Sequence, residues 1–227
     1  MATKKKLVEI KPVEMVRIPL KVIGTAPLIV HNWDEKAKRK LLETYMGTEE
    51  IMDEKEPKDP VAEFVGSLYW LEGRPTKEEI KADAEKAFAT AIKNGARFGF
   101  PISSIKKAAN TAAYHQKWVP NRSALRATYF LRCDDAMLAE IKTLDGRPAI
   151  PEMREDMVKI GQGSPDIRYR GWFPEWRMDF DFEYNEGGQF SPSELLTCIQ
   201  AGGILTGIGE WRPERDGNFG TFRVEGG

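Results

Sequence analysis

The chain has 227 residues, 41% hydrophobic and 30% charged, with a formal net charge of -1. That composition belongs to a soluble globular protein long enough to bury a substantial core, and a charge this close to zero argues against a generic polybasic nucleic-acid binder. No apolar run reaches membrane-spanning length, the lysines at Lys4–Lys6 precede no apolar stretch of a secretory signal, and Cys133 and Cys198 form no disulfide framework, so a reducing, cytoplasmic setting is expected.

The charge is unevenly spread. Residues 34–87 hold 10 Lys/Arg against 15 Asp/Glu, and residues 97–177 hold 14 against 9, so one stretch is -5 and the other +5. This fits a basic binding face beside an acidic outer subdomain. It fits equally two complementary surfaces that meet between identical subunits.

Along the chain, Val16, Ile18, Leu20 and Val22 alternate and predict a strand over 13–23, continued after Gly24-Thr25-Ala26-Pro27 by Leu28-Ile29-Val30. Asp34 is placed to cap a helix to about Tyr45, and the acidic, proline-containing stretch 47–60 reads as a loop. Thr76-Lys77-Glu78-Glu79 is a capping box, followed at helical spacing by Ile80, Ala84, Ala87, Phe88, Ala91 and Ile92. A helix is expected from Ser103 or Ser104 to about His115, and a strand from Leu125 to Cys133. Residues 167–184 predict one or two strands. In the second half Trp176, Met178, Phe180, Phe182 and Tyr184 share one face, and Arg177, Asp179, Asp181 and Glu183 share the other. Ser191-Pro192-Ser193-Glu194 is a second capping box, opening a helix that ends near Gly202-Gly203. A Gly-rich loop then leads to a strand over 219–225. The skeleton is βαββαβ, an α+β, modified ferredoxin-like (RRM-like) antiparallel sheet, with residues 47–95 as an inserted acidic helical subdomain.

Several chemistries find no residues to carry them. The Gly207-Ile208-Gly209 sequence follows a helix and precedes a strand, the reverse of a dinucleotide fingerprint. His31, His115, Cys133 and Cys198 lack zinc spacing, so neither a metal nor a cofactor is expected. Asp134-Asp135 and Asp179/Asp181 are carboxylate pairs of the kind a metal-dependent nuclease uses, but the first pattern more often marks a turn and the second a solvated strand face.

Three constellations point to a polyanion instead. The loop Gly207 to Gly220 holds Gly207, Gly209, Gly217 and Gly220 with Trp211, Arg212 and Arg215, a composition suited to close backbone approach, stacking and phosphate capture. The helix start at Ser103 and Ser104 carries Lys106 and Lys107 one turn in, beside free N-terminal amides. Arg154, Lys159, Arg168 and Arg170 are interleaved with Tyr169 and Trp172, as in a track for one strand. Each has a plainer reading: a mobile hairpin, an N-cap with solvated lysines, and tryptophans that anchor the core or a subunit contact.

Two of these segments resemble the RAMP superfamily, the ferredoxin-like subunits that form the guide-RNA-binding backbone of CRISPR effector complexes. Residues 100–108, Phe-Pro-Ile-Ser-Ser-Ile-Lys-Lys-Ala, are similar to the superfamily's IPGSSLKG segment, with Ile102 and Lys107 where that pattern has glycine. Residues 207–224 are similar to its C-terminal glycine-rich loop. The chain looks like a divergent, free-standing relative of the kind bacteriophages encode. The resemblance implies binding roles for Ser103, Ser104, Lys106 and the loop glycines, and no catalytic residue. The expected function is sequence-independent binding of single-stranded nucleic acid, RNA or DNA, as a head-to-tail homo-oligomer or filament. The alternatives are a structural self-assembling protein without nucleic-acid binding, and a metal-dependent nuclease.

Overall fold

Alternation of apolar and polar side chains builds the central layer. β1 (Met15–Gly24) turns Leu20 and Val22 into the core, and β9 (Arg177–Asn185) buries Met178, Phe180, Phe182 and Tyr184 while its odd-numbered residues face outward. The computed structural model describes residues 13–32, 58–135, 137–159 and 165–225, with Leu42, Tyr45 and Met46. Leu42, Tyr45 and Met46 are helical and exposed; the rest of the helix expected after Asp34 and of the acidic stretch up to residue 57 lies outside the described residues.

In chain order the described elements between these two strands are β2 (Leu28–Val30), α1 (Pro60–Ser67), β3 (Trp70–Glu72), α2 (Lys77–Ala82), α3 (Ala84–Lys93), β4 (Arg97–Pro101), α4 (Ile102–His115), β5 (Tyr129–Arg132), β6 (Leu138–Glu140), β7 (Glu152–Lys159) and β8 (Pro165–Phe173). After β9 come α5 (Pro192–Ala201), a π-turn (Gly202–Thr206), a 3-10 turn (Pro213–Arg215) and β10 (Phe222–Glu225). The chain is thus α+β, with antiparallel sheets.

The four strand patterns at 13–23, 125–133, 174–184 and 219–225 fall in one sheet, ordered β10-β1-β9-β5. Register places inward residues together: Val22 opposite Met178, Leu20 opposite Phe180, and Leu131 opposite Phe182. α4 and α5 cover that face with Ile105, Ala108, Ala109, Ala112, Leu195, Cys198 and Ile199. Truncating Phe182, which is fully buried, to Ala removes about 3–5 kcal/mol. Two smaller sheets, β2-β8-β7 and β3-β4-β6, extend the core.

Both capping boxes form, at Thr76 and at Ser191. The single helix expected after Thr76 is two, because Asp83 leaves helical geometry and its carboxylate caps α3 at Lys86 N. α4 opens one residue earlier than expected, at Ile102. Pro101 is its N-cap, and neither serine hydroxyl caps the helix. β5 is shorter than predicted, since 125–128 form turns, and β10 starts at Phe222.

The segment from α1 to α3 is not set apart from the core. Phe64, Val65 and Leu68 pack into it, and α1 flanks the edge of β8. There Gly171 N–H donates to the Ser67 hydroxyl at 3.1 Å, and Lys58 donates to Ile167 O at 3.0 Å. α1 and the residues just before it thereby cover the stretch of β8 that the short β2 does not reach. Among the described residues no helix is long and apolar enough to cross a membrane.

Candidate functional site

The helix start and the Gly-rich loop, about a hundred residues apart in sequence, meet. Ser104 and Lys107, one turn apart on α4, line a pocket of about 180 Å³ with Thr206, Gly207, Gly209, Glu210, Arg212 and Glu214. Tyr69, Phe100 and His31 form another part of its wall. The Tyr69 ring packs edge-on to Phe100 at 5.6 Å, and its hydroxyl donates to His31 O at 3.3 Å. Burial, and secondarily the Glu210 carboxylate, raise the Tyr69 hydroxyl above the ordinary phenol value.

The loop is held by its own backbone. Ile208, fully buried, donates to Gly220 O at 2.9 Å; Glu210 N–H donates to Ile29 O at 3.0 Å, and Gly220 N–H to Pro27 O at 2.7 Å. Gly209 lies at φ +77, where a Cβ would sit 2.4 Å from Ile29 O. Gly220 lies at φ +66, with Ile208 O only 1.7 Å from where a Cβ would be. These two glycines therefore let the loop fold onto β2 and onto itself, and the expectation that they admit a ligand's backbone is corrected. Gly217 serves the same end, packed against Trp211 O, and Gly207 packs against Pro213.

The loop cations differ in their partners. Arg212 donates through Nε and Nη2 to Glu214 Oε2 at 3.0 and 2.9 Å, and through Nη1 to Gly209 O at 2.9 Å. Arg215 is exposed, and so is Trp211, which holds a left-handed conformation at φ 51. Glu210 and Glu214 offset Lys107 and Arg212, so the resting pocket is close to neutral.

On the helix start, Ser103 and Lys107 are exposed but Lys106 is not the solvated lysine expected. Its ammonium donates to Arg126 O at 2.7 Å and Tyr129 O at 2.6 Å, and lies 4.9 Å from the ring centroids of both Tyr129 and Phe130. Burial, with Arg132 nearby, lowers it below the ordinary lysine value. Lys106 ties α4 to β5, because a four-carbon stem one position from Lys107 is turned by about 100° toward that strand.

The basic track of the β7–β8 hairpin needs the largest correction. Arg168 and Arg170 do share a face, but Arg170 is buried, 6% exposed, with Asp156 at 3.6 Å. Arg168 meets Asp166 at 3.0 Å and Glu63 at 3.9 Å. Arg154 Nε donates to Asp156 at 2.9 Å. Lys159 closes β7 opposite Pro165, and its side chain lies outside the described residues. The track is an internal ion network between the hairpin and α1.

One end of it nevertheless reaches the loop. The Arg154 guanidinium lies 4.6 Å from the Trp172 ring and 5.1 Å from the Phe219 ring, and the two rings meet edge-on at 5.3 Å. Phe219, within the loop, was missed by a reading that weighed only its glycines, arginines and tryptophan. Tyr69 and His31 were missed because neither stands near a motif. Trp176 is in the core, fully buried, its Nε1 donating to Ala26 O at 2.8 Å.

No protein-family model matches the chain, and neither does any curated protein.

Proposed function

We propose that the chain binds single-stranded nucleic acid without sequence preference, as a head-to-tail homo-oligomer built on a modified ferredoxin-like, RAMP-like fold. The observation that carries this reading is the convergence of Ser104, Lys107 and the Gly-rich loop on one pocket. The sheet order agrees with it: numbered by their place in the βαββαβ skeleton, the strands run 4-1-3-2, as two interleaved βαβ units produce.

In this mechanism a backbone phosphate enters against the first turn of α4, where amides and the helix dipole favour an anion, and Lys107 supplies charge. Arg212 exchanges Glu214 for the phosphate, so the resting pocket stays neutral until a strand arrives. Arg154, Trp172 and Phe219 group two half-buried rings and a guanidinium beside the loop, where a base can stack. None of these contacts reads a base edge, hence the lack of sequence preference.

The test is fluorescence anisotropy with labelled single strands of several sequences, as DNA and as RNA. The reading expects similar affinities for all sequences and a linear fall of log affinity with log salt. A protein that bound none of them at low salt would overturn it.

A second reading, self-assembly without nucleic acid, is favoured by the hairpin's other face. Met153, Met157 and Ile167 are exposed there by 47%, 74% and 41%, with Met157 directly opposite Ile167. Light scattering before and after nuclease treatment separates the two readings: nucleic-acid-dependent particles support the first, unchanged particles the second.

A further inference from the structure

From Lys86 to Cys133 the sequence runs 48 residues with nine Lys/Arg and no Asp or Glu. Much of that run is the core of α4, but its second half is a surface. After α4 the chain returns along the helix from its last turn to its first turns before entering β5. Trp118 N–H donates to Ala113 O at 3.0 Å near the helix end, and Lys106, about 10 Å back along the helix axis, holds Arg126 O. Val119 and Leu125, 5% and 0% exposed, pin the connection to the core. The connection is therefore an ordered strip.

Its outward side combines cations and rings. Lys117, Arg122 and Arg126 are exposed, as are Tyr114 (40%) and Trp118 (50%). The Arg122 guanidinium lies 5.4 Å from the Tyr114 ring and 3.2 Å from His115 Nε2. Among the described residues no carboxylate lies within ion-pair distance of Lys117, Arg122 or Arg126, whereas Arg132, next along the chain, is paired with Glu183 at 2.7 Å. Three unneutralised cations with two half-exposed rings on a pinned backbone suit a flexible polyanion with flat bases: the cations take phosphates and the rings take bases.

We infer that the strip between α4 and β5 is a second binding surface for single-stranded nucleic acid, with Lys117, Arg122 and Arg126 on phosphates and Trp118 as its stacking platform. It rests on the nucleic-acid reading proposed above but uses different residues. Adjacent lysines of α4 face the two surfaces, Lys107 the pocket and Lys106 the strip.

The test uses the full chain and a labelled oligothymidylate. The variants are Lys117→Ala/Arg126→Ala, Lys117→Glu/Arg126→Glu and Trp118→Ala, all at exposed positions, with circular dichroism as the check on folding. The double alanine variant should flatten the log affinity against log salt slope by about 1.4, two phosphate contacts at roughly 0.7 each. The charge-reversed variant should bind more weakly still. Trp118→Ala should lose about tenfold in affinity while the slope stays at its parent value. If all three bind as the parent does while Lys107→Ala weakens binding, the strip is overturned and the pocket stands. If the strip variants lose affinity and Lys107→Ala does not, the strip stands and the pocket falls. Equal affinity for a duplex of the same length, with no effect of Trp118→Ala, would overturn the stacking role. A parent chain that binds no single strand overturns both surfaces.

Discussion

The β7–β8 hairpin and the α4–β5 connection are both rich in basic and aromatic residues, yet their charges behave differently. In the hairpin, Arg154, Arg168 and Arg170 are held by Asp156, Asp166 and Glu63. In the connection, Lys117, Arg122 and Arg126 have no such partners among the described residues. The difference lies in spacing. On a strand, residues two apart share a face, and an arginine with an acid at that spacing is paired again and again here: Arg154 with Asp156, Arg168 with Asp166, Arg177 with Asp179, Arg223 with Glu225. A count of arginines overstates the charge available to a ligand wherever an acid stands two residues away.

The hairpin is thus expected to answer mutation with stability and the connection with binding. The largest effect falls on Arg170. Its removal leaves Asp156 with Arg154 as its remaining arginine and empties the buried space of the Arg170 side chain, and Arg170→Ala should lose about 3 kcal/mol in urea denaturation. Gly209→Val should follow at about 2–3 kcal/mol, since the added carbon meets Ile29 O and the backbone is left-handed. A melting temperature equal to the parent's would show that the loop can shift. Next is the adjacent pair on α4. Lys106→Ala should lose about 1–3 kcal/mol by giving up two charge-assisted hydrogen bonds, and Lys107→Ala should stay within about 0.5 kcal/mol.

The smallest effect concerns acid. Hydrogen bonding from Arg132, then the charges of Arg132 and Arg17, hold the Glu183 carboxyl below its ordinary value. A carboxyl with a lowered folded pKa binds fewer protons folded than unfolded between its two values. Its stabilising contribution is therefore present above the unfolded value, about 4.3, and is lost as pH falls toward the folded one. Urea midpoints measured from pH 6 down to 3 should fall less steeply for Glu183→Gln than for the parent.

The main sheet was readable because period-two burial is strong in β1 and β9, where every inward residue is apolar. The capping boxes at Thr76 and Ser191 were readable because their geometry is local, three residues wide. The break at Asp83 was missed because Ile80 and Ala84 keep helical spacing across it, and only the carboxylate's bond to Lys86 N reveals the new cap. Within the candidate site, the motif residues were visible and their partners were not. That Arg212 meets Glu214, and that Lys106 turns to β5, depends on loop and helix orientations which spacing alone leaves open. The acid-free stretch before Asp134 was in plain view as a composition signal, but its exposure follows from Val119 and Leu125 anchoring the chain in reverse along α4.

The most direct measurement of the central claim is the salt dependence of single-strand binding for Lys107→Ala and Arg168→Ala side by side. The pocket at the start of α4 predicts that Lys107→Ala flattens the slope by about 0.7 and weakens binding to every sequence alike, while Arg168→Ala, whose charge Asp166 and Glu63 already offset, leaves the slope unchanged. A flattened slope for Arg168→Ala with parent-like binding by Lys107→Ala would contradict it.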